Sequence, residues 1–469
     1  MNKIILYLLL FLLPFVVCSQ KDVISLQDCI DMALENNLEL TSSKLNAQTS
    51  NINFKQNKNA LLPSINGNYN IGVAEGRSID PFTNDFINEE LTFSNLGLGL
   101  DATIFNGFNL VNRWKQSKLN LEASQMDVEA AKQNLILNVT LNYLQVLNAR
   151  ELLKLSQIRV QSSEEQLKRL RSLFEEESGS PASYRDLQGQ FASDQSQIIA
   201  NQNALELALI ELNRLVNPTE VITNNLQDIL IDDANYVFTA QEIYEQSLQT
   251  FPNLKASDLR LQASEKGIAV AKSLYVPEVS FFANLRTNYS SAARIFNQNG
   301  SLVKETGDFV TVNGTDVPVF RESSTFESAE IGYRDQFDNN LNTSYGLSVN
   351  IPIFNGFNAK NNVGLEKVRN QQAQVELDQT KLDLKLAIQQ SYSTMIASMK
   401  NYKLLEEQVD AYAESFRINE VLFQNGASNS TDYILSRNTL ENAKVNLANV
   451  KYSYALRLKI LEYYRTGIN

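Results

Sequence analysis

Ile104-Phe105-Asn106-Gly107-Phe108-Asn109 recurs as Ile353-Phe354-Asn355-Gly356-Phe357-Asn358, an identical hexapeptide at an offset of 249 residues (Phe105 to Phe354). The register holds without a gap far beyond the motif, pairing Gly97 with Gly346, Leu135 with Leu384, Tyr143 with Tyr392 and Phe174 with Phe423. Upstream a second constant offset of 214 (Pro63 to Pro277) pairs Ser25 with Thr239, Leu34 with Leu248, Leu40 with Leu254 and Gln48 with Gln262. One unit is therefore written twice. The step from 214 to 249 places 35 additional residues between Pro277 and Gly346 of the second copy.

Immediately before the hexapeptide the chain alternates with period two. Leu96, Leu98, Leu100, Ala102 and Ile104 face one way, and Gly97, Gly99, Asp101 and Thr103 the other. The second copy repeats this with Tyr345, Leu347, Val349, Ile351 and Ile353 against Ser344, Gly346, Ser348 and Asn350. Further upstream, Ile65, Gly67, Tyr69, Ile71 and Val73 alternate with polar residues after Pro63. After Pro277 the set is Val279, Phe281, Ala283 and Leu285, with Phe282 the one exception on the polar side. Four strands of about ten residues, apolar on one face and small and polar on the other, suit a transmembrane β-barrel with lipid outside and water inside. Bacterial barrels begin at about 8 strands, so several chains must share one barrel. The segment 287–342, with Gly300, Gly307 and Gly314, reads as a long polar loop on the far side from the helices, facing the cell exterior.

After the hexapeptide the helical period takes over. No Gly or Pro interrupts Leu110 to Phe174, and no Pro occurs from Ile353 to the end. As one helix, residues 110–174 would reach roughly 98 Å at about 1.5 Å per residue. Ile136, Tyr143 and Leu147, and Leu137, Leu141 and Leu144, recur at spacings of three, four and seven, as in coiled coils, while the polar positions are rich in Asn, Gln and Ser. Such helices suit a wall with water on both sides. They turn back at Glu177-Ser178-Gly179-Ser180-Pro181 and at Asn425-Gly426-Ala427-Ser428-Asn429, then resume to Val216 and to about Tyr464. Ser25 with Asp28, and Thr239 with Glu242, form capping boxes that open each copy. Breaks at Asn36-Asn37 and Phe251-Pro252 start the next helix.

Composition narrows the function. The chain of 469 residues contains no histidine, which removes Ser-His-Asp and Cys-His catalysis and the commonest metal ligand together, so neither an enzyme nor a cofactor is expected. A net charge of −12 argues against nucleic acid as a partner. Lys3 followed by an apolar run to Val17 reads as a signal peptide over residues 1–19, leaving Gln20 as the first mature residue. Cys18 admits two fates, loss with the leader or lipidation. With only Cys29 left thereafter, no intramolecular disulfide can form.

In this order of elements the chain resembles the TolC family of outer-membrane channels, whose two repeats each run helix, helix, strand, strand, long helix, long helix. The likeness covers nearly all of the mature chain. It is strongest at Leu135-Ile136-Leu137-Asn138 through Tyr143, at Val146 to Ala149, at Pro63 and Pro277, and at Gly426 through Asp432 followed by Asn442 to Tyr454. The domains expected are a signal peptide (1–19), a first repeat (20–216, strand pair about 63–105), an inter-repeat equatorial linker (217–238) and a second repeat (239–469, strand pair about 277–354). The resemblance implies an α+β membrane protein. A long α-helical coiled-coil barrel lies in the periplasm, and four β-strands per chain join a shared 12-stranded trimeric transmembrane barrel in contact with outer-membrane lipid.

It further implies a homotrimer acting as a passive exit duct, of a tripartite efflux or type I secretion system. A periplasmic adaptor (membrane fusion) protein and an inner-membrane pump of RND or ABC type would deliver the substrate. By the same resemblance Asp432 is the pore constriction, with Leu435 where the family carries a second acid. Gly179, Ser180, Gly426, Ala427 and Ser428 are the adaptor-contact helix tips. Arg185 and Asp186 follow Gly179 at a spacing shifted by one and carry no role over. The competing reading of the sequence is a periplasmic coiled-coil scaffold or adhesin without a pore.

Overall fold

The computed structural model describes residues 23–79, 84–88, 90–176, 180–229 and 236–467, so the signal peptide, Cys18, Glu177, Ser178 and Gly179 lie outside the described residues. The chain divides into two compact units. One comprises residues 1–52, 119–262 and 371–469, and the other 53–118 and 263–370.

The first unit is helical. Helix α1 (Leu26–Asn36) opens on the Ser25 capping box and α2 (Leu38–Asn59) follows after Asn37. A single 67-residue helix, α3 (Asn109–Glu175), occupies the Gly- and Pro-free stretch, and α4 (Pro181–Val216) returns. The second copy repeats the series: α5 (Ala240–Thr250) behind the Thr239 capping box, then α6 (Pro252–Lys272). Two buried clusters sit at equivalent places in the repeat. Cys29, Val139, Val146, Leu205 and Leu212 belong to one. Their counterparts Ile243, Ile388, Met395, Tyr454 and Leu461 belong to the other. The duplication is thus a duplication of cores, because the same helical positions point inward in both copies.

The linker after α4 is tied to the first copy. Asn217 caps α4 in a left-handed conformation, Ile24 bridges Leu226 in parallel, and the Tyr143 hydroxyl donates to the carbonyl of Gln227 at 2.7 Å. Arg150 Nη1 donates to the carbonyl of Leu226 at 2.7 Å.

The second unit holds the sheet. Strands β1 (Ser64–Ala74), β4 (Leu91–Phe105), β5 (Glu278–Ser290) and β8 (Asn342–Asn350) form one antiparallel sheet in the order β1-β4-β5-β8, and a short pair, β2 (Arg77–Ile79) and β3 (Phe86–Asn88), tips the first hairpin. β1 and β5 start directly after Pro63 and Pro277. Their apolar side chains stand in the open: Ile71 is 66% exposed, Tyr345 76% and Leu347 63%. Contiguous apolar exposure of this kind marks a surface made for lipid or another chain. Among the described residues no helix is long and apolar enough to cross a membrane.

The segment 287–342 differs from the polar loop expected. β5 runs on to Ser290. A long ribbon follows, β6 (Arg294–Val312) with β7 (Thr315–Glu330), and then the short helix α7 (Tyr333–Asn339). Two register shifts, between Gln298 and Gly300 and between Glu305 and Phe309, break the alternation that would have announced it. Its turn was nonetheless legible. Asn313-Gly314 is the residue pair a two-residue hairpin prefers, and both have positive φ, 51° and 82°.

Beyond the sheet, helices α8 (Asn358–Gln424) and α9 (Ser430–Thr466) complete the second copy. The hexapeptides make one turn twice. Gly107 and Phe108 have φ of 63° and 61°, and Gly356 and Phe357 have 62° and 61°. A left-handed phenylalanine is costly. Each is held by an edge-to-face ring contact, Phe105 on Phe108 at 5.5 Å and Phe354 on Phe357 at 5.6 Å.

Candidate channel constriction and helix tips

The second tip is built by local rules. Helix α8 ends in a Schellman motif: the N–H of Ala427 donates to the carbonyl of Leu422 at 2.8 Å, and that of Gly426 to Phe423 at 3.1 Å. Gly426 takes the left-handed φ of 74° that this stop requires. Asn429 then caps α9, its side-chain oxygen accepting from the N–H of Asp432 at 2.9 Å. Asp432 sits in the first turn of α9, exposed, where the helix dipole favours a carboxylate. Leu435, one turn on, is 65% exposed. Both line an open cleft of about 310 Å³ with Tyr412, Ser415, Asn419 and Ser436. Ala427 and Gly426 are exposed at the turn and Ser428 is half-buried.

At the first tip Ser180 caps α4, accepting from the N–H of Ser183 at 3.4 Å, with Pro181 at the first helical position. The two tips match in length. The helix ends Glu175 and Gln424, and the caps Ser180 and Asn429, stand at the offset of the hexapeptides. A ring stack recurs at the same offset, Phe174 on Tyr184 at 5.1 Å and Phe423 on Tyr433 at 4.7 Å. The two glycines are therefore not equivalent in the repeat, Gly179 matching the sequence position of Ser428, two after Gly426. Counted from the caps, Ser183 corresponds to Asp432 and Asp186 to Leu435. Asp186 accepts from the Ser430 hydroxyl at 3.3 Å, joining one tip to the first turn of α9.

Behind the tips lies a polar cluster the sequence reading missed. Asp194 of α4, 1% exposed, forms ion pairs with Arg159 of α3, Nε to Oδ1 at 2.7 Å, and with Arg437 of α9, itself 2% exposed. Gln190 donates to Asp194 at 2.8 Å and Arg159 donates to the Asn438 side chain at 2.7 Å. Burial pushes the Tyr433 hydroxyl above its ordinary range, against the pull of Ser162 and Arg437. The available signal was spacing. Arg437 falls four residues after buried Tyr433 and three before buried Leu440, on the inward stripe of α9. Among the described residues no group of three or more His, Cys, Asp or Glu side chains could hold a metal ion.

Four strands with an apolar face left open, and paired helices far longer than a domain needs, define the class: a subunit of an outer-membrane channel whose wall more than one chain completes. The chain belongs to the Outer membrane efflux protein family, whose profile matches residues 29–217 and 243–462. It is 23% identical over 366 residues to the outer membrane efflux protein BepC of Brucella suis biovar 1 (strain 1330), covering 78% of this chain and 68% of BepC. The fold is similar to that of the Campylobacter jejuni CmeC outer membrane channel, with a TM-score of 0.77 at 19% identity over 94% of this chain and 85% of that one. It is also similar to the open state of the Neisseria gonorrhoeae MtrE outer membrane channel, with a TM-score of 0.71 at 19% identity over 94% and 89%. The protein is an outer-membrane efflux channel with its helical part in the periplasm, rather than a scaffold or adhesin without a pore. Family and fold are those of channel proteins, not of enzymes.

Proposed function

We propose that the chain forms a homotrimer serving as the passive exit duct of a three-component export system, with Asp432 lining its narrowest point. Residues 20–216 and 239–469 are the two wall segments and 217–238 the equatorial connection between them. A periplasmic adaptor engages the turns at Gly179, Ser180, Gly426, Ala427 and Ser428, and an inner-membrane pump of RND or ABC type supplies the energy. The observation that carries this reading is the exposed carboxylate of Asp432 in the first turn of α9, lining a cleft beside Leu435. In a ring of copies it is a ring of negative charge at a water-filled passage, which attracts cations and repels anions. With leucine one turn on, there is one such ring rather than two.

Asp432→Ala should change single-channel conductance and lower cation preference in planar bilayers, and Leu435→Asp should raise that preference. Conductance and selectivity unchanged by Asp432→Ala would remove Asp432 from the constriction. Cysteines at the five tip positions should crosslink to the adaptor, and failure at all five would displace the docking site.

A further inference from the structure

Strands β1 and β8 are the edges of the four-stranded sheet, and among the described residues neither has a strand on its outer side. Each edge offers a row of ladder groups to whatever chain lies beside it. The repeat says which chain that is, and in which register. Ser64 faces Asp101 across β1 and β4, and their repeat counterparts, Glu278 and Asn350, face each other across β5 and β8. Gly67 with Leu98, and Phe281 with Leu347, agree in the same way. The duplication therefore preserves register to the residue. Of the three ladders in this sheet, one has no counterpart among the described residues: β4 against β5, where the end of the first strand pair meets the start of the second.

We propose that this missing counterpart is β8 of one copy against β1 of the next, in the register of β4 and β5. The inference rests on the reading that copies share a barrel and adds how they are joined. Transposed by the repeat offsets, Gly97 with Arg286 becomes Gly346 with Gly72 of the neighbouring copy, and Leu98 with Leu285 becomes Leu347 with Ile71. Gly99 with Asn284 becomes Ser348 with Asn70, and Leu100 with Ala283 becomes Val349 with Tyr69.

Three features agree with that register. The pairing sets Leu347 and Val349 against Ile71 and Tyr69, and Ser348 against Asn70, so apolar meets apolar and polar meets polar. A slip of one residue would set Leu347 against Asn70 or Gly72 and destroy that match. A slip of two residues is opposed by the glycines. A Cβ at Gly72 would come within 3.0 Å of the Phe93 ring, and one at Gly346 within 3.0 Å of the Phe282 ring. In the proposed register these two ring-covered glycines lie directly opposite, whereas the slips set Gly346 against Asn70 or Ala74.

The third feature is the hexapeptide turn. A Cβ at Gly107 would lie 2.8 Å from Val276 Cβ, and Asn109 donates to the Ser273 hydroxyl at 2.7 Å and the Val270 carbonyl at 3.3 Å. The equivalent Gly356 meets nothing within 4 Å, and Leu62, the equivalent of Val276, is 67% exposed. Across the seam Gly356 seats against Leu62 of the neighbouring copy, and Asn358 reaches Asn59 and the carbonyl of Gln56.

Disulfide mapping in outer membranes tests the register. Neighbouring ladder positions alternate between two pair geometries, so Leu347→Cys with Ile71→Cys and Ser348→Cys with Asn70→Cys together cover both. Buried Cys29 stays in place. On mild oxidation at least one of these pairs should link copies into a covalently closed oligomer. Leu347→Cys with Tyr69→Cys or Val73→Cys should link them about tenfold less, the diagonal separation exceeding disulfide reach. A preferred offset pair, or no link at either proposed pair in a particle that remains oligomeric by light scattering, overturns the register alone. A particle of one chain overturns the shared barrel and the seam with it.

Discussion

Asp194 answers to two guanidinium groups, from Arg159 and Arg437, at a site with almost no solvent. Removing one partner of a buried ion pair costs about 3–5 kcal/mol, because the remaining charge is stranded. Asp194→Ala should therefore lower the melting temperature of the assembled protein sharply, and adding Arg437→Met should recover part of the loss. Equal melting of Asp194→Ala and wild type would show that water reaches the arginines. Cys29 is the opposite case, buried and inert. Burial, with the Asp28 charge adding to it, pushes its thiol up to about 12, so maleimide should fail to label it in the native protein at neutral pH and should label it in urea. Labelling in the native state would contradict the packing of α1. The first-turn position of Asp432 was legible in the sequence and the ion pairs of Asp194 were not, for a physical reason. A cap and a turn are local, whereas the partners of Asp194 stand 35 and 243 residues away and only the fold brings them together.

Helix starts obey the same distinction. Both capping boxes were readable because everything they need lies within four residues. Hydrogen bonds from the Ser25 side chain and backbone hold Asp28 below its ordinary 3.8, and those from the Thr239 backbone and side chain hold Glu242 below 4.5. A carboxylate depressed on folding stabilises fully above its unfolded value, and the gain is lost as pH falls through the folded one. Helicity measured by circular dichroism should accordingly hold at neutral pH and decline below these values. The variant carrying Asp28→Asn and Glu242→Gln should show a flatter acid limb, and an unchanged limb would assign acid sensitivity elsewhere. Ser25→Ala should cost about 1 kcal/mol in denaturant titrations. Long helices were legible from uninterrupted period, and the β6–β7 ribbon was not, because its two register shifts hide a strand from any test for strict alternation. The left-handed Phe108 and Phe357 carried no signal either, since tertiary packing permits what local preference forbids.

For the molecule as a whole, the exposed apolar strands make sense only in company. The count of four strands per chain was already enough to require more than one chain, while the position of each edge needed the observed order β1-β4-β5-β8. That order has a genetic consequence. A chain with a damaged edge still carries a sound one, so it enters a ring and spoils it. Adjacent strand residues send their N–H groups to opposite sides, so one of Ser348→Pro and Val349→Pro strips the outer edge of β8 of a donor. Expressed in equal amount with the intact gene, that allele should leave about one-eighth of the proposed trimers free of defective chains, and export of a reporter substrate should fall well below half. Damage in this channel should be inherited as a dominant trait, with one faulty copy in a cell outvoting the good one beside it.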